Sequence, residues 1–152
     1  MVLTPSYGES TAGMQIVYTA IAHATGGGRD GHVRSEDDLI DFDTRPPKEM
    51  GGNGQGTNPE QLFAAGYAAC FLSALNLVIK KAGLDNTDAA VSGSVGIGSN
   101  GEGGFGLEVE LHIYIPGVPA ERRQELADAA HTVCPYSNAT RGNIDVTLTL
   151  VD

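Results

Sequence analysis

Residues 58–83, NPEQLFAAGYAACFLSALNLVIKKAG, decide the fold and read as one long helix with Cys70 near its middle. Asn58 is a suitable N-cap, because its side-chain oxygen can accept an orphan N–H of the first turn. Pro59 suits the first helical position, and Gln61 falls where a capping box places its glutamine. Lys80 and Lys81 favour the negative C-terminal end, and Gly83 can take the left-handed conformation that stops a helix. Between these caps, Leu62 to Ile79 carries three polar side chains, Tyr67, Ser73 and Asn76. A helix apolar on every side has to be covered on every side. Ala64, Ala65, Gly66, Ala68 and Ala69 let another backbone come close just before Cys70.

A membrane span is the rival reading, since 18 mostly apolar residues reach the usual minimum. The run is rich in Ala and Gly rather than Leu and Ile, and Asn76 would need a partner in lipid. The rest of the chain supplies amphipathic strands to wrap around it. The sequence therefore predicts a buried central helix in a soluble protein.

Outward from that helix, 152 residues give one domain, 1–152, large enough for a real core. Twenty-one glycines point to many tight turns. A net charge of −10, with nine scattered cations, argues against nucleic acid or an anionic membrane as a partner. MVLTPSYGES lacks the charged and apolar regions of a secretory leader, so a cytoplasmic location is expected. Two cysteines are too few for a disulfide scaffold, and cysteines that pair in a reducing compartment are more often catalytic than structural.

Residues 14–24 are β-rich and predict a first strand, followed by a turn at 26–31, a returning strand from His32 to Ser35, and a third at Leu39 to Asp43. Together they suggest an antiparallel meander. Residues 44–57 form a Pro- and Gly-rich loop of functional length. Beyond the helix, Ala89 to Gly98 alternates weakly, while Leu107 to Ile115 alternates cleanly and is the most secure strand. Pro119 opens a second helix that Cys134-Pro135 stops, because the residue before proline is steered out of the α region. Tyr136 to Asn143 reads as a loop, and residues 144–151 as a last strand. The order gives an α+β fold with antiparallel sheet. Two copies of the central helix wrapped jointly by both sheets, as a homodimer, would cover its apolar surface.

Gly26/Gly28/Gly31 and Gly101/Gly103/Gly106 match a dinucleotide-binding spacing, but each leads into a strand and not a helix N-terminus, so both read as hairpin turns. The four histidines lack ligand spacing. His131 and Cys134 supply only half of a structural zinc set, so no metal is expected. No nucleophilic-serine motif is present. That leaves Cys70 and Cys134. Both could be small buried hydrophobes. Cys134 nevertheless sits where a helix meets a proline loop and can be presented to a pocket. Cys70 lies too far into its helix for the macrodipole to ionise it, so as a nucleophile it needs a nearby cation.

NPEQLFAAGYAACF at 58–71, VCPYSNATRGN at 133–143 and GGRDG at 27–31 closely resemble the organic hydroperoxide resistance proteins of the OsmC-like family. The resemblance spans nearly the whole chain and implies antiparallel sheets wrapped around long central helices in an intertwined homodimer. It implies a thiol peroxidase that reduces organic and fatty-acid hydroperoxides to alcohols, with no bound cofactor. By position, Cys70 matches the peroxidatic cysteine and Cys134 the resolving one. Arg29 matches the arginine that holds the thiolate, and Glu60 the carboxylate that orients it. A dihydrolipoyl group on a lipoylated protein is the implied reductant. An apolar pocket is required, with Phe71, Met50 and Tyr136 as candidate walls. Glu60 and Cys70 stand ~15 Å apart on a straight helix, so either the helix begins late or one contact crosses a dimer interface. An apolar-ligand-binding module with idle cysteines and a general disulfide oxidoreductase are the competing readings. The second is weak, because such enzymes usually carry closely spaced cysteines.

Overall fold

The structure is a computed structural model that describes Leu3, Gly8, Glu9 and residues 13–152. Most of the N-terminal stretch read as lacking a leader lies outside the described residues. The chain forms two compact units, Met1–Pro59 and Glu60–Asp152.

In the first unit, β1 (Gly8–Glu9) pairs with β2 (Gln15–Ile16), and β3 (Ala22–Gly26), β4 (Gly31–Ser35) and β5 (Asp41–Thr44) form the expected antiparallel meander. The strand predicted over 14–24 is divided. Val17 and Tyr18 are exposed and residues 17–21 form no strand. β-Rich composition marks a taste for a pleated surface but does not supply a neighbour to pair with. The turn between β3 and β4 takes positive φ at Gly26 and Gly28, so this glycine cluster is a hairpin turn. Thr44, 1% exposed, closes it from inside. Its hydroxyl donates to the Gly28 carbonyl at 2.6 Å and accepts from the Gly31 N–H at 2.9 Å. The loop that follows holds one 3-10 turn, Lys48–Met50, and returns to bridge Thr57 with Thr44.

α1 (Pro59–Lys81) starts at the expected residue, and all of it beyond Pro59 belongs to the second unit. It ends in a Schellman motif, in which the Gly83 N–H bonds the Lys80 carbonyl and the Leu84 N–H bonds the Ile79 carbonyl. β6 (Ala90–Ser99) and β7 (Phe105–Tyr114) form an antiparallel hairpin through the second glycine cluster. A 3-10 turn at Ala120–Arg122 leads into α2 (Arg123–Val133), then α3 (Pro135–Thr140), then β8 (Asp145–Val151). β8 lies beside β7 and parallel to it, so this sheet is mixed, in the order β6-β7-β8. A parallel neighbour requires a crossover, and α2 with α3 provides it. The loop expected over 136–143 is largely α3. Pro135 has the φ of a first helical residue and restarts the helix it had just helped to stop.

Tyr67, Phe71, Leu75 and Ile79, four residues apart on α1, are wholly buried with Leu111 and Ile113 of β7 and Ala127 and Ala130 of α2. Burying each of the larger aliphatic or aromatic side chains is worth roughly 1.5–3 kcal/mol. The small residues of α1 admit β6. A Cβ on Gly93 would stand 2.9 Å from the Ala64 carbonyl oxygen. On the other side of α1, Gln61, Ala65, Ala69, Ser73 and Leu77 are exposed, again at four-residue spacing. Only 28% of the helix's most apolar 18-residue window is buried within the chain, and by length and composition the helix could span a membrane.

Candidate active site

Cys70 and Cys134 meet. Both are free thiols, and the Cys134 S–H donates to the Cys70 sulfur at 3.5 Å. Cys70 is placed by the middle of α1. Cys134 is the joint at which α2 stops and α3 starts, with extended backbone (φ −61°, ψ 122°) forced by the following proline. The Cys134 N–H caps the Ala130 carbonyl at 2.8 Å, and the Cys134 carbonyl accepts from the Asn138 N–H at 3.0 Å. The joint is therefore bonded on both sides of the sulfur, which is itself 0% exposed.

Burial pushes the Cys70 thiol above its ordinary pKa. The backbone N–H of Tyr136 donates toward the sulfur and works the other way, while the neighbouring Cys134 thiol pushes up again. The Tyr136 N–H is a feature the sequence reading missed, since that reading asked only for a cation. The Tyr136 ring leans on Phe63 and Tyr67, with centroids 6.3 and 5.7 Å away. It covers Gly66, where a Cβ would stand 3.1 Å from the phenol oxygen.

Beside Cys70 opens a mostly apolar groove of about 530 Å³, walled by Ala74, Leu77, Val133 and Pro135, with Asn76 and Lys80 further along. Asn76 Oδ1 is buried and has no hydrogen-bond partner among the described residues. Of the expected walls, Phe71 turns into the core at 0% exposure, and neither it nor Tyr136 lines this groove. Leu77, Val133 and Pro135 were not singled out from sequence. Helical spacing from Cys70 would have found Leu77.

A buried hydroxyl chain stands behind the cysteines. Tyr67 Oη lies 2.9 Å from Ser137 Oγ and 3.1 Å from Thr140 Oγ1, and Ser137 Oγ lies 2.7 Å from His131 Nδ1. Burial, and then the Arg141 charge, keep the His131 pKa below its ordinary value. Arg141 donates to the His131 carbonyl at 2.6 Å and to Asn138 Oδ1 at 2.8 Å. Sequence reading noted Tyr67 only as one polar group in an apolar helix. A buried hydroxyl implies a partner, and that was the available signal.

In the first unit, Arg29 rides the turn tied down by Thr44, and Met50, 43% exposed, ends the 3-10 turn. Glu60 lies in the first turn of α1, and that helix begins at Pro59, so a late start does not shorten its ~15 Å axial separation from Cys70. Among the described residues, no group of three or more His, Cys, Asp or Glu side chains is placed to hold a metal.

Residues 52–149 match the family profile described as OsmC-like protein. An organic hydroperoxide resistance protein of Xanthomonas axonopodis pv. citri is 54% identical over 138 residues, covering 90% of this chain and 96% of its own. The crystal structure of an organic hydroperoxide resistance protein from Elizabethkingia anophelis, with thiocyanate bound, is 57% identical at a TM-score of 0.86, covering 91% of this chain and 99% of that one. That of Bacillus subtilis OhrB is 45% identical at a TM-score of 0.79, covering 90% and 100%. The chain belongs to the OsmC-like family and, within it, to the organic hydroperoxide resistance proteins.

Proposed function

We propose that this protein is a cysteine-based peroxidase that reduces organic hydroperoxides to alcohols. The observation that carries this reading is the 3.5 Å approach of two thiols far apart in the chain. The Cys70 thiolate attacks one peroxide oxygen, the O–O bond breaks, and the alkoxide leaves with a proton as the alcohol. Cys70 is then a sulfenic acid. The Cys134 sulfur attacks it, water leaves, and a disulfide remains. An external dithiol reopens that bond by two exchanges and becomes a disulfide itself. A dihydrolipoyl group on a lipoylated protein fits this role, and a cytoplasmic setting would keep it reduced.

Burial, and then the Cys134 thiol, raise the Cys70 pKa, so favouring its thiolate calls for positive charge nearby. Arg29 is assigned that part, and Glu60 the orienting of Arg29. The long axial step from Glu60 to Cys70 favours a contact made across a homodimer. The exposed stripe of α1 and the orphan Asn76 oxygen favour the same homodimer, with residues 1–152 acting as one functional domain. A monomer mass on size-exclusion chromatography counters the dimer. The groove of Ala74, Leu77, Val133 and Pro135 receives the apolar body of the hydroperoxide, and Met50 is the remaining wall candidate.

Steady-state consumption of an alkyl hydroperoxide with dihydrolipoamide tests the proposal. Turnover that vanishes in Cys70→Ser supports it. A wild type without turnover, whose binding of an apolar ligand survives Cys70→Ser, would instead be a binding module with idle cysteines. Disulfide exchange on proteins without peroxide turnover would favour an oxidoreductase instead.

A further inference from the structure

The hydroxyl chain behind the cysteines has a direction. Each hydroxyl has one hydrogen to give. Thr140 gives its hydrogen to the Ser137 carbonyl at 3.2 Å, so Tyr67 donates to Thr140. Ser137 then donates to Tyr67, and His131 donates from Nδ1 to Ser137. Only this order satisfies all four contacts, and it makes the neutral His131 ring the Nδ1–H tautomer.

The members also stand at telling places. His131 is three residues before Cys134 and Ser137 three residues after it, on the two helices that the joint connects. Tyr67 is three residues before Cys70 on α1, a rise of roughly 4.5 Å. Tyr67 and Ser137 are 0% exposed and Thr140 is 3% exposed. The chain thus ties the Cys134 joint to α1 about one turn from each sulfur. From this geometry we infer that Tyr67, Ser137 and His131 are positioning residues that hold Cys134 against Cys70 for the condensation step. Two sulfurs 3.5 Å apart must close to about 2.05 Å to bond. The restraint on the joint sets how often that closure succeeds before a second peroxide arrives.

This rests on the peroxidase reading, and the test separates the two. Reduced protein is mixed with tert-butyl hydroperoxide, and the disulfide, the dimedone-trapped sulfenic acid and the sulfinic acid are followed by mass spectrometry. Tyr67→Phe and Ser137→Ala should lose Cys70 thiol at the wild-type rate but close the disulfide roughly thirtyfold more slowly, as the loss of two net hydrogen bonds gives. Sulfinic acid should rise accordingly, and Ser137→Thr should restore the wild-type division. His131→Leu, at the partly exposed end of the chain, should shift the division the same way if the two buried substitutions unfold the protein. Variants that close the disulfide at the wild-type rate, or that slow both steps equally, overturn the inference. A wild-type Cys70 that stays a thiol overturns the peroxidase reading itself.

Discussion

Gly93 of β6 presses on Ala64 of α1 so closely that a single added carbon would meet the Ala64 carbonyl oxygen at 2.9 Å. That oxygen belongs to helix backbone and cannot swing aside. Gly93→Ala should therefore destabilise the protein by about 1–3 kcal/mol, the usual cost of overpacking. Thermal unfolding measures this, and an unshifted midpoint would mean that sheet and helix are not in such tight contact.

Cys134→Ser should react once and then accumulate sulfinic acid at Cys70, because no second sulfur intercepts the sulfenic acid. Intact-mass analysis after successive peroxide additions reads the outcome directly. Continued turnover with dihydrolipoamide and no over-oxidation would remove Cys134 from the cycle.

Arg29→Ala should expose the intrinsic tendency of Cys70. Burial pushes that thiol up, so without the cation its titration moves to higher pH. For every pH unit that the titration rises, the thiolate population near neutrality falls about tenfold. The rate of peroxide reduction should fall in proportion and recover as pH is raised. A pH–rate profile identical to the wild type would exclude Arg29 from the first step.

Val133→Trp or Leu77→Trp should narrow the groove beside Cys70. Efficiency with a bulky aryl hydroperoxide should drop by roughly tenfold or more, in line with what pocket contacts discriminate, while hydrogen peroxide is little affected. Equal losses with both oxidants would place the substrate elsewhere.

His32 and His131 should titrate on opposite sides of the usual value of about 6.5. Hydrogen bonds that His32 donates to Asp43 and then Asp41 raise its pKa, so its contribution to stability is fully present below about 6.5 and fades as pH climbs through its higher folded value. Burial, followed by Arg141, lowers His131. The folded state resists that protonation, so stability is undiminished above about 6.5 and declines as pH falls below it. Imidazole proton shifts followed by NMR, assigned with His32→Asn and His131→Asn, give both midpoints. A shared midpoint would contradict the two environments.

Much of this arrangement was legible from the residues alone. The caps at Pro59 and Gly83 and the alternation of Leu107 to Ile115 are local signals, and local signals survived. Two errors came from pairing, which no single segment carries. Residues 17–21 have strand composition but form no strand, and the parallel course of β8 depends on a crossover elsewhere in the chain. The short α3 was missed because Pro135 was weighed only as a stop. Around the thiols, the two sulfurs announced themselves through their motifs. The Tyr136 N–H and the Ser137 hydroxyl did not, since a backbone donor and a common serine acquire their parts only when the fold brings Cys70 and Tyr67 to them.

The crossover that makes β8 parallel to β7 also sets a timetable. Cys70 leaves the ribosome 64 residues ahead of Cys134, and the strand that pins the crossover follows later still. At about 5–20 residues per second, that is an interval of roughly 3–13 s. Throughout it, a growing chain carries one cysteine and no second one to close upon, so slower translation leaves the Cys70 thiol without its partner for longer.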